Sequence, residues 1–268
     1  MLFRALDIET VPDLRFFTPG EPKWVPEPRD VEVGGYASRY VSADSLVYVK
    51  APSFPPPQAH RIVAVAWCDV ELNIGSPKRY SLVSTHRQAG WKNADSEKQL
   101  VTAVREAAAA SPATLVTWNG RTFDLPVLSA RALHLGVPWG WYYDERNIRH
   151  RYSSDGHDDL MDFLSDFGAA RPMTLGDVAR LIGLPGKTDM DGSKVEGIVA
   201  LGESLENEDK ISSYCLQDAV QTALVFLRTR YHLEIVDAAG YAASVDTFAR
   251  DPVVRELLDV DWKKFREI

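Results

Sequence analysis

Cysteine is scarce in this chain, and so are long hydrophobic runs. Among 268 residues only Cys68 and Cys215 are cysteines, and they stand in unlike contexts. This excludes a disulfide framework and a four-cysteine zinc site. No apolar run approaches the roughly 18–20 residues that cross a bilayer, so no membrane association is expected. The opening Met1-Leu-Phe-Arg-Ala-Leu-Asp7 leads straight into polar residues, without the apolar stretch and small-residue cleavage site of a secretory signal. A reducing, cytoplasmic setting is the expectation. Basic residues are in deficit as well. Thirty Lys and Arg face 38 Asp and Glu, a net charge of −8. That argues against a protein that coats duplex DNA, which needs a basic surface. It leaves room for a nucleic-acid enzyme, because carboxylates that hold divalent cations make a protein acidic while the cations supply positive charge.

What is present is ordinary globular material: 45% hydrophobic, 25% charged and 10% aromatic. Residues 2–8 read as a short apolar strand. Residues 11–57 contain nine of the 16 prolines, which excludes a regular helix or a central strand and predicts a long covering loop. Residues 62–70 read as a buried strand and 79–84 as its hairpin partner across the turn 73–77. Apolar residues at helical spacing predict a helix over 96–110, stopped by Pro112. A strand over 113–119 and a helix over 123–135, closed by Gly136 and Pro138, follow. Helices are predicted over 160–167, 175–182 and 210–233, with a helical tail after Gly240. Three strands, a helix, a strand and then mostly helices predict an α/β layer fold with a mixed sheet. With no repeat and no linker, residues 1–268 read as a single domain, with 11–57 an insertion and 240–268 a tail.

Three places carry candidate chemistry. In Asp7-Ile8-Glu9, at the end of a strand, residues two apart share a face, so the two carboxylates project together. A solvated strand end is the mundane account. In Trp118-Asn-Gly-Arg-Thr-Phe-Asp124-Leu-Pro126, a buried strand ends, Gly120 permits a sharp turn and Asp124 opens a helix, where capping alone would explain an Asp. In Tyr214-Cys-Leu-Gln-Asp218, a spacing of four places phenol and carboxylate on one helix face. Core packing is the ordinary role for such a tyrosine. Together these are four hard oxygen donors in fixed order, suited to Mg²⁺ or Mn²⁺. Brought close, they would repel one another unless a cation or proton intervened.

The set Asp7-x-Glu9, Asn119-x-x-x-Phe123-Asp124-x-Pro126 and Tyr214-x-x-x-Asp218 resembles the three exonuclease motifs of the DEDD superfamily. Position 213 is Ser, where the histidine branch would carry His, so the likeness is to the tyrosine (DEDDy) branch. It is nearest to predicted 3′–5′ exonucleases related to the proofreading domain of family B DNA polymerases. The resemblance spans residue 2 to about 230 and includes Ser129-Ala-Arg131-Ala and the stretch 175–187. It implies a ribonuclease H-like mixed β-sheet flanked by helices. It further implies a two-metal 3′–5′ exonuclease that acts on the 3′ end of single-stranded nucleic acid, with DNA the expected substrate. In that scheme Asp7, Glu9 and Asp218 hold the water-activating cation, Asp7 and Asp124 serve a second, and Tyr214 orients the water. No polymerase module follows, so a proofreading role does not carry over. RNA or very short oligonucleotides remain as alternative substrates, and a non-catalytic nucleic-acid-binding module as an alternative function.

Around the motifs, Asn119 and Phe123 are candidates for contacting the terminal nucleotide, against a turn-stabilising Asn and a core Phe. Lys187 is a candidate phosphate contact, against a solvated loop lysine. The run Arg146-Asn-Ile-Arg-His-Arg151, downstream of Trp139, Trp141, Tyr142 and Tyr143, has the composition of a single-strand platform or of plain solvated surface. In His157-Asp158-Asp159 and Asp162, helix capping is the simpler account. Asp189-Met-Asp191-Gly192 lacks the remaining ligands of a calcium loop.

Overall fold

The computed structural model describes residues 1–13, 23–26, 38–42, 45–50, 55–144, 147–186 and 192–268; for 23–26, 38–42, 45–50 and 192–193 only the backbone is described. A five-stranded sheet forms the centre. Its strands are β1 (Leu2–Pro12), β5 (His60–Asn73), β6 (Arg79–Ala89), β7 (Thr114–Thr117) and β8 (His157–Asp159), in the order β6-β5-β1-β7-β8. β5 runs antiparallel to β1 and β6 antiparallel to β5, whereas β7 lies parallel to β1 and β8 parallel to β7. The sheet is therefore mixed, as predicted.

Both faces of the sheet are covered, so its inner strands are apolar on both sides. On one face, Leu6 and Ile8 of β1 and Val65 of β5 pack against α1 (Ala94–Ala110) and α2 (Asp124–Leu135), through Leu100, Val104, Leu125 and Leu128. On the other, Phe3, Ala5, Ala64 and Ala66 meet α6 (Leu205–His232), whose Leu216, Val220 and Leu224 are fully buried. Small alanines under α6 let the helix sit close to the strands. The Cys68 thiol reaches the Ala219 carbonyl at 3.8 Å. On the α6 side of the sheet, α3 (Leu160–Leu164), α4 (Leu175–Leu181) and α5 (Gly192–Ala200) follow β8 and join the same core through Leu160, Leu175, Val178 and Val195.

The tail is three helices, α7 (Ala238–Arg250), α8 (Pro252–Leu257) and α9 (Trp262–Arg266). α7 lies along the edge of β6, where Ser244 and Thr247 hydroxyls accept the N–H groups of Tyr80 (2.9 Å) and Leu82 (3.0 Å). That caps an edge which would otherwise offer unpaired donors. Gly240 permits the approach, since a Cβ there would lie 2.1 Å from the Lys78 carbonyl oxygen. Among the described residues no helix is long and apolar enough to cross a membrane.

Four predictions need correction. Residues 11–57 are not simply a loop: β2 (Lys23–Pro26), β3 (Ser38–Ser42) and β4 (Ser45–Lys50) pair as a separate three-stranded antiparallel sheet. Residues 38–50 contain no proline, and Pro26 ends an edge strand, where a missing N–H is tolerated. β8 was not anticipated, being three polar residues that carry no periodic signal. α5 was also missed, its pattern broken by Gly192 and Gly197. α6 begins five residues before the predicted start at 210 because its first turn is polar; Ser204 caps it by accepting from Asn207 N–H at 3.2 Å.

Candidate active site

Alternation along β1 decides where its carboxylates go. Leu6 and Ile8 point toward α1 and α2, so Asp7 and Glu9 point the other way, toward α6. Along α6, positions 211, 214, 215, 218 and 222 recur at helical spacing on the buried side. The outcome is a cluster: Asp7, Glu9 and Asp218 each offer a carboxylate oxygen within 4.8 Å of the others. Glu9 and Asp218 are only 8% and 7% exposed.

The electrostatics follow from this crowding. Burial, then the charges of Glu9, Asp124 and Asp218, push the Asp7 carboxyl well above its usual range, against a thiol hydrogen bond from Cys215. Burial also leads in raising the Tyr214 phenol, followed by Asp218, Glu9 and Asp7, with a hydrogen bond to Asp218 one turn along. All of these effects favour the neutral phenol. Asp124 stands beside the trio, tied to β1 by a hydrogen bond with the Ile8 backbone. Burial raises it to about 7; the charges of Asp159 and Asp218 add to this, and backbone hydrogen bonds oppose it. Carboxylates held so close in a dry site suit a divalent cation, which would remove the repulsion that now favours protons.

The turn that presents Asp124 is built differently from expectation. The left-handed residue is Asn119 (φ 64°), not Gly120. Gly120 is required for space, as a Cβ there would sit 2.5 Å from Thr117. Asp159 clamps the turn by accepting the N–H groups of Asn119 (3.0 Å) and Arg121 (2.9 Å). The same carboxylate caps α3 through Met161 and Asp162 N–H, at 3.1 and 3.4 Å. Asp159 therefore does more than the capping read from the sequence. Asp158 is paired with Arg230 at 2.8 Å, and Asp162 with Arg151 at 2.9 Å.

Of the residues singled out in the sequence, Asp7, Glu9 and Asp218 come together, with Asp124 and Tyr214 adjoining them. Asn119 is half-buried in the turn, where its side-chain oxygen accepts from the Thr122 hydroxyl. Phe123 is half-buried and meets the His60 ring edge-on at 5.1 Å. Lys187, Asp189 and Asp191 lie outside the described residues. Arg131, part of the resemblance, lies in a buried ion network with Glu97 (2.6 Å) and Asp13 (2.8 Å) that ties α2, α1 and the end of β1 together. Cys215 went unnoticed as a site residue, although it shares the helix face of Tyr214 and Asp218. An apolar cavity of about 320 Å³, lined by Leu164, Val178, Ile182 and Val225 among others, contains none of these carboxylates.

Acidic side chains approach one another from a central strand, a strand-to-helix turn and a helix across the sheet, on an α/β scaffold of ribonuclease H-like form. The chain belongs to a family described as predicted 3′–5′ exonucleases related to the exonuclease domain of PolB, whose model matches residues 52–267. The match takes in α7, α8 and α9 and starts after β1, so Asp7 and Glu9 lie outside it and join the site through the fold. No curated protein shows a significant match to the sequence.

Proposed function

We propose that the protein is a DEDDy-type exonuclease that removes nucleoside monophosphates from the 3′ end of single-stranded DNA. The observation that carries this reading is the meeting of Asp7, Glu9 and Asp218 within 4.8 Å, close enough to Asp124 that its charge acts on Asp7. Asp7, Glu9 and Asp218 would hold one Mg²⁺ or Mn²⁺, and Asp7 with Asp124 a second. When bound, such a pair supplies an activated water and stabilises the leaving oxygen. Tyr214, kept neutral by burial and its acidic neighbours, orients the attacking water instead of deprotonating it. Asn119 and Phe123, which flank the Asp124 turn, contact the terminal nucleotide, and Lys187 contacts a phosphate. Both cysteines are free and buried, which supports a cytoplasmic setting.

The test compares labelled DNA and RNA oligonucleotides of several lengths with Mn²⁺, Mg²⁺ or chelator. Stepwise shortening of single-stranded DNA from its 3′ end, abolished by chelator and by Asp7→Ala or Asp218→Ala, is expected. Full activity in both variants would remove the assignment, and inertness toward every substrate would leave a binding module. Faster action on the shortest substrates is the second reading. A net charge of −8 favours it, since fewer phosphates then need neutralising.

A further inference from the structure

The chain between α2 and β8 is fastened to the turn that carries Asp124. The Arg121 guanidinium donates to the carbonyls of Ile148 and His157, each at 3.1 Å, while the Arg121 backbone N–H is held by Asp159. Ile148 is buried and anchors the loop from beneath. Around it, aromatic and basic side chains face outward. The Arg149 guanidinium lies over the Tyr143 ring at 4.7 Å and the Tyr142 ring at 5.8 Å. Among the described residues no carboxylate pairs with Arg149. Tyr152, 71% exposed, meets His150 at 6.5 Å and Phe167 at 5.2 Å, ring to ring.

Phe167 is held outward at a conformational cost. Its φ of 54° is left-handed, where a bulky aromatic is an outlier, and Asp166 (φ 52°) and Gly168 (φ 92°) on either side are left-handed too. Beside Tyr152 and Phe167 opens a cleft of about 240 Å³, also lined by Ser153, Ser154 and Phe163 and, deeper in, by Asp158, Asp159 and Asp162, of which Asp158 is paired with Arg230 and Asp162 with Arg151. Packing does not explain this arrangement, because both rings remain substantially in water.

We infer that Tyr143, Arg149, Tyr152 and Phe167 form a second contact for single-stranded DNA, holding the strand upstream of the 3′ end. The inference rests on the proposed function and extends it beyond the carboxylates. Asp144, Asp155 and Asp166 neighbour these residues in sequence, so the surface is not a basic patch. Stacking of bases on rings carries the contact, as an acidic protein requires, and Arg149 adds one phosphate partner. The cleft beside Tyr152 takes the edge of one base. Arg121 ties the loop that carries Arg149 to the turn that carries Asp124.

The experiment measures anisotropy of a fluorescein-labelled single-stranded DNA of about 20 nucleotides in chelator, which reads binding without cleavage. The double variant Tyr152→Ala/Phe167→Gly is expected to weaken binding by about tenfold or more. Arg149→Ala is expected to flatten the salt dependence by about one phosphate. The Tm of the double variant, measured alongside, is expected to stay within a few degrees of the wild type, since both rings are exposed and glycine relieves the left-handed backbone at 167, so lost binding is not unfolding. Binding by the double variant equal to that of the wild type, or no binding by the wild type, overturns the inference. With Mn²⁺ added, the double variant should slow degradation of the long strand and leave a trinucleotide unaffected; equal slowing of both also overturns it. If the wild type binds and degrades nothing while the double variant loses binding, this contact stands and the nuclease reading fails.

Discussion

The single S–H of Cys215 is shared between two acceptors on Asp7, its backbone carbonyl at 3.3 Å and its carboxylate Oδ2 at 3.5 Å. Cys215 lies between Tyr214 and Asp218 on α6, so one helix turn both supplies a carboxylate to the cluster and orients another across the sheet. Burial, followed by the Asp7 and Glu9 charges, raises the thiol far above its usual range and keeps it a protonated donor.

Removing that donor should loosen Asp7 without removing it. Cys215→Ala is expected to raise the Mn²⁺ concentration needed for half-maximal activity by about tenfold, as loss of an outer partner to a metal ligand typically does. Cys215→Ser, which keeps a donor, should recover most of the loss. A metal titration of nuclease activity in the three proteins checks this.

Asp124 should destabilise the metal-free protein at alkaline pH. Its folded-state pKa, about 7, lies above the usual carboxyl value of 3.8. A carboxyl raised in this way contributes stability below 3.8 and loses it as pH rises through 7. Asp124→Asn should therefore raise Tm in chelator at pH 8, by less at pH 5, while abolishing activity. Mn²⁺ should raise the Tm of the wild type more than that of the variant. Thermal melts at both pH values, with and without Mn²⁺, supply the comparison.

The opposite sign holds for His157. Burial, then the Arg121 charge, lowers its pKa from 6.5 to about 3, so the folded protein keeps it neutral. Its contribution is complete above pH 6.5 and is lost as pH falls from 6.5 toward 3, because the unfolded chain takes up the proton first. Urea midpoints between pH 7.5 and 5 should fall less steeply in His157→Gln than in the wild type. Parallel pH profiles would contradict the assignment.

Asp159 should matter to both stability and rate. Asp159→Ala leaves the N–H groups of Asn119 and Arg121 without their acceptor and uncaps α3. A loss of about 2–4 kcal/mol is expected, on the scale of charged hydrogen bonds and helix caps. As the turn that aims Asp124 relaxes, kcat should fall more than KM rises. Urea unfolding with steady-state kinetics separates the two effects.

Much of the site was legible in local spacing. Asp7 and Glu9 share a face because a strand alternates, and Tyr214 and Asp218 share one because a helix repeats. The long strands and helices showed through their apolar periods, whereas β8 and α5 were too short or too interrupted to show one. Asp159 looked like a helix cap because its second role, holding the turn at Asn119, crosses from β8 to β7. That pairing joins residues about 40 apart, where no sequence pattern reaches.

By itself the sequence determined which faces of β1 and α6 are acidic and which are apolar, because periodicity is a property of consecutive residues. It also set the donor chemistry, hard oxygen in place of thiolate. Only the tertiary structure decided that these faces meet. The parallel placement of β7 beside β1, with α6 lying across the small alanines of β1 and β5, brings oxygens more than 200 residues apart within 4.8 Å. The physical reason is burial: apolar residues on both sides of β1 draw α6 down onto the sheet, and the carboxylates are carried into the same dry space.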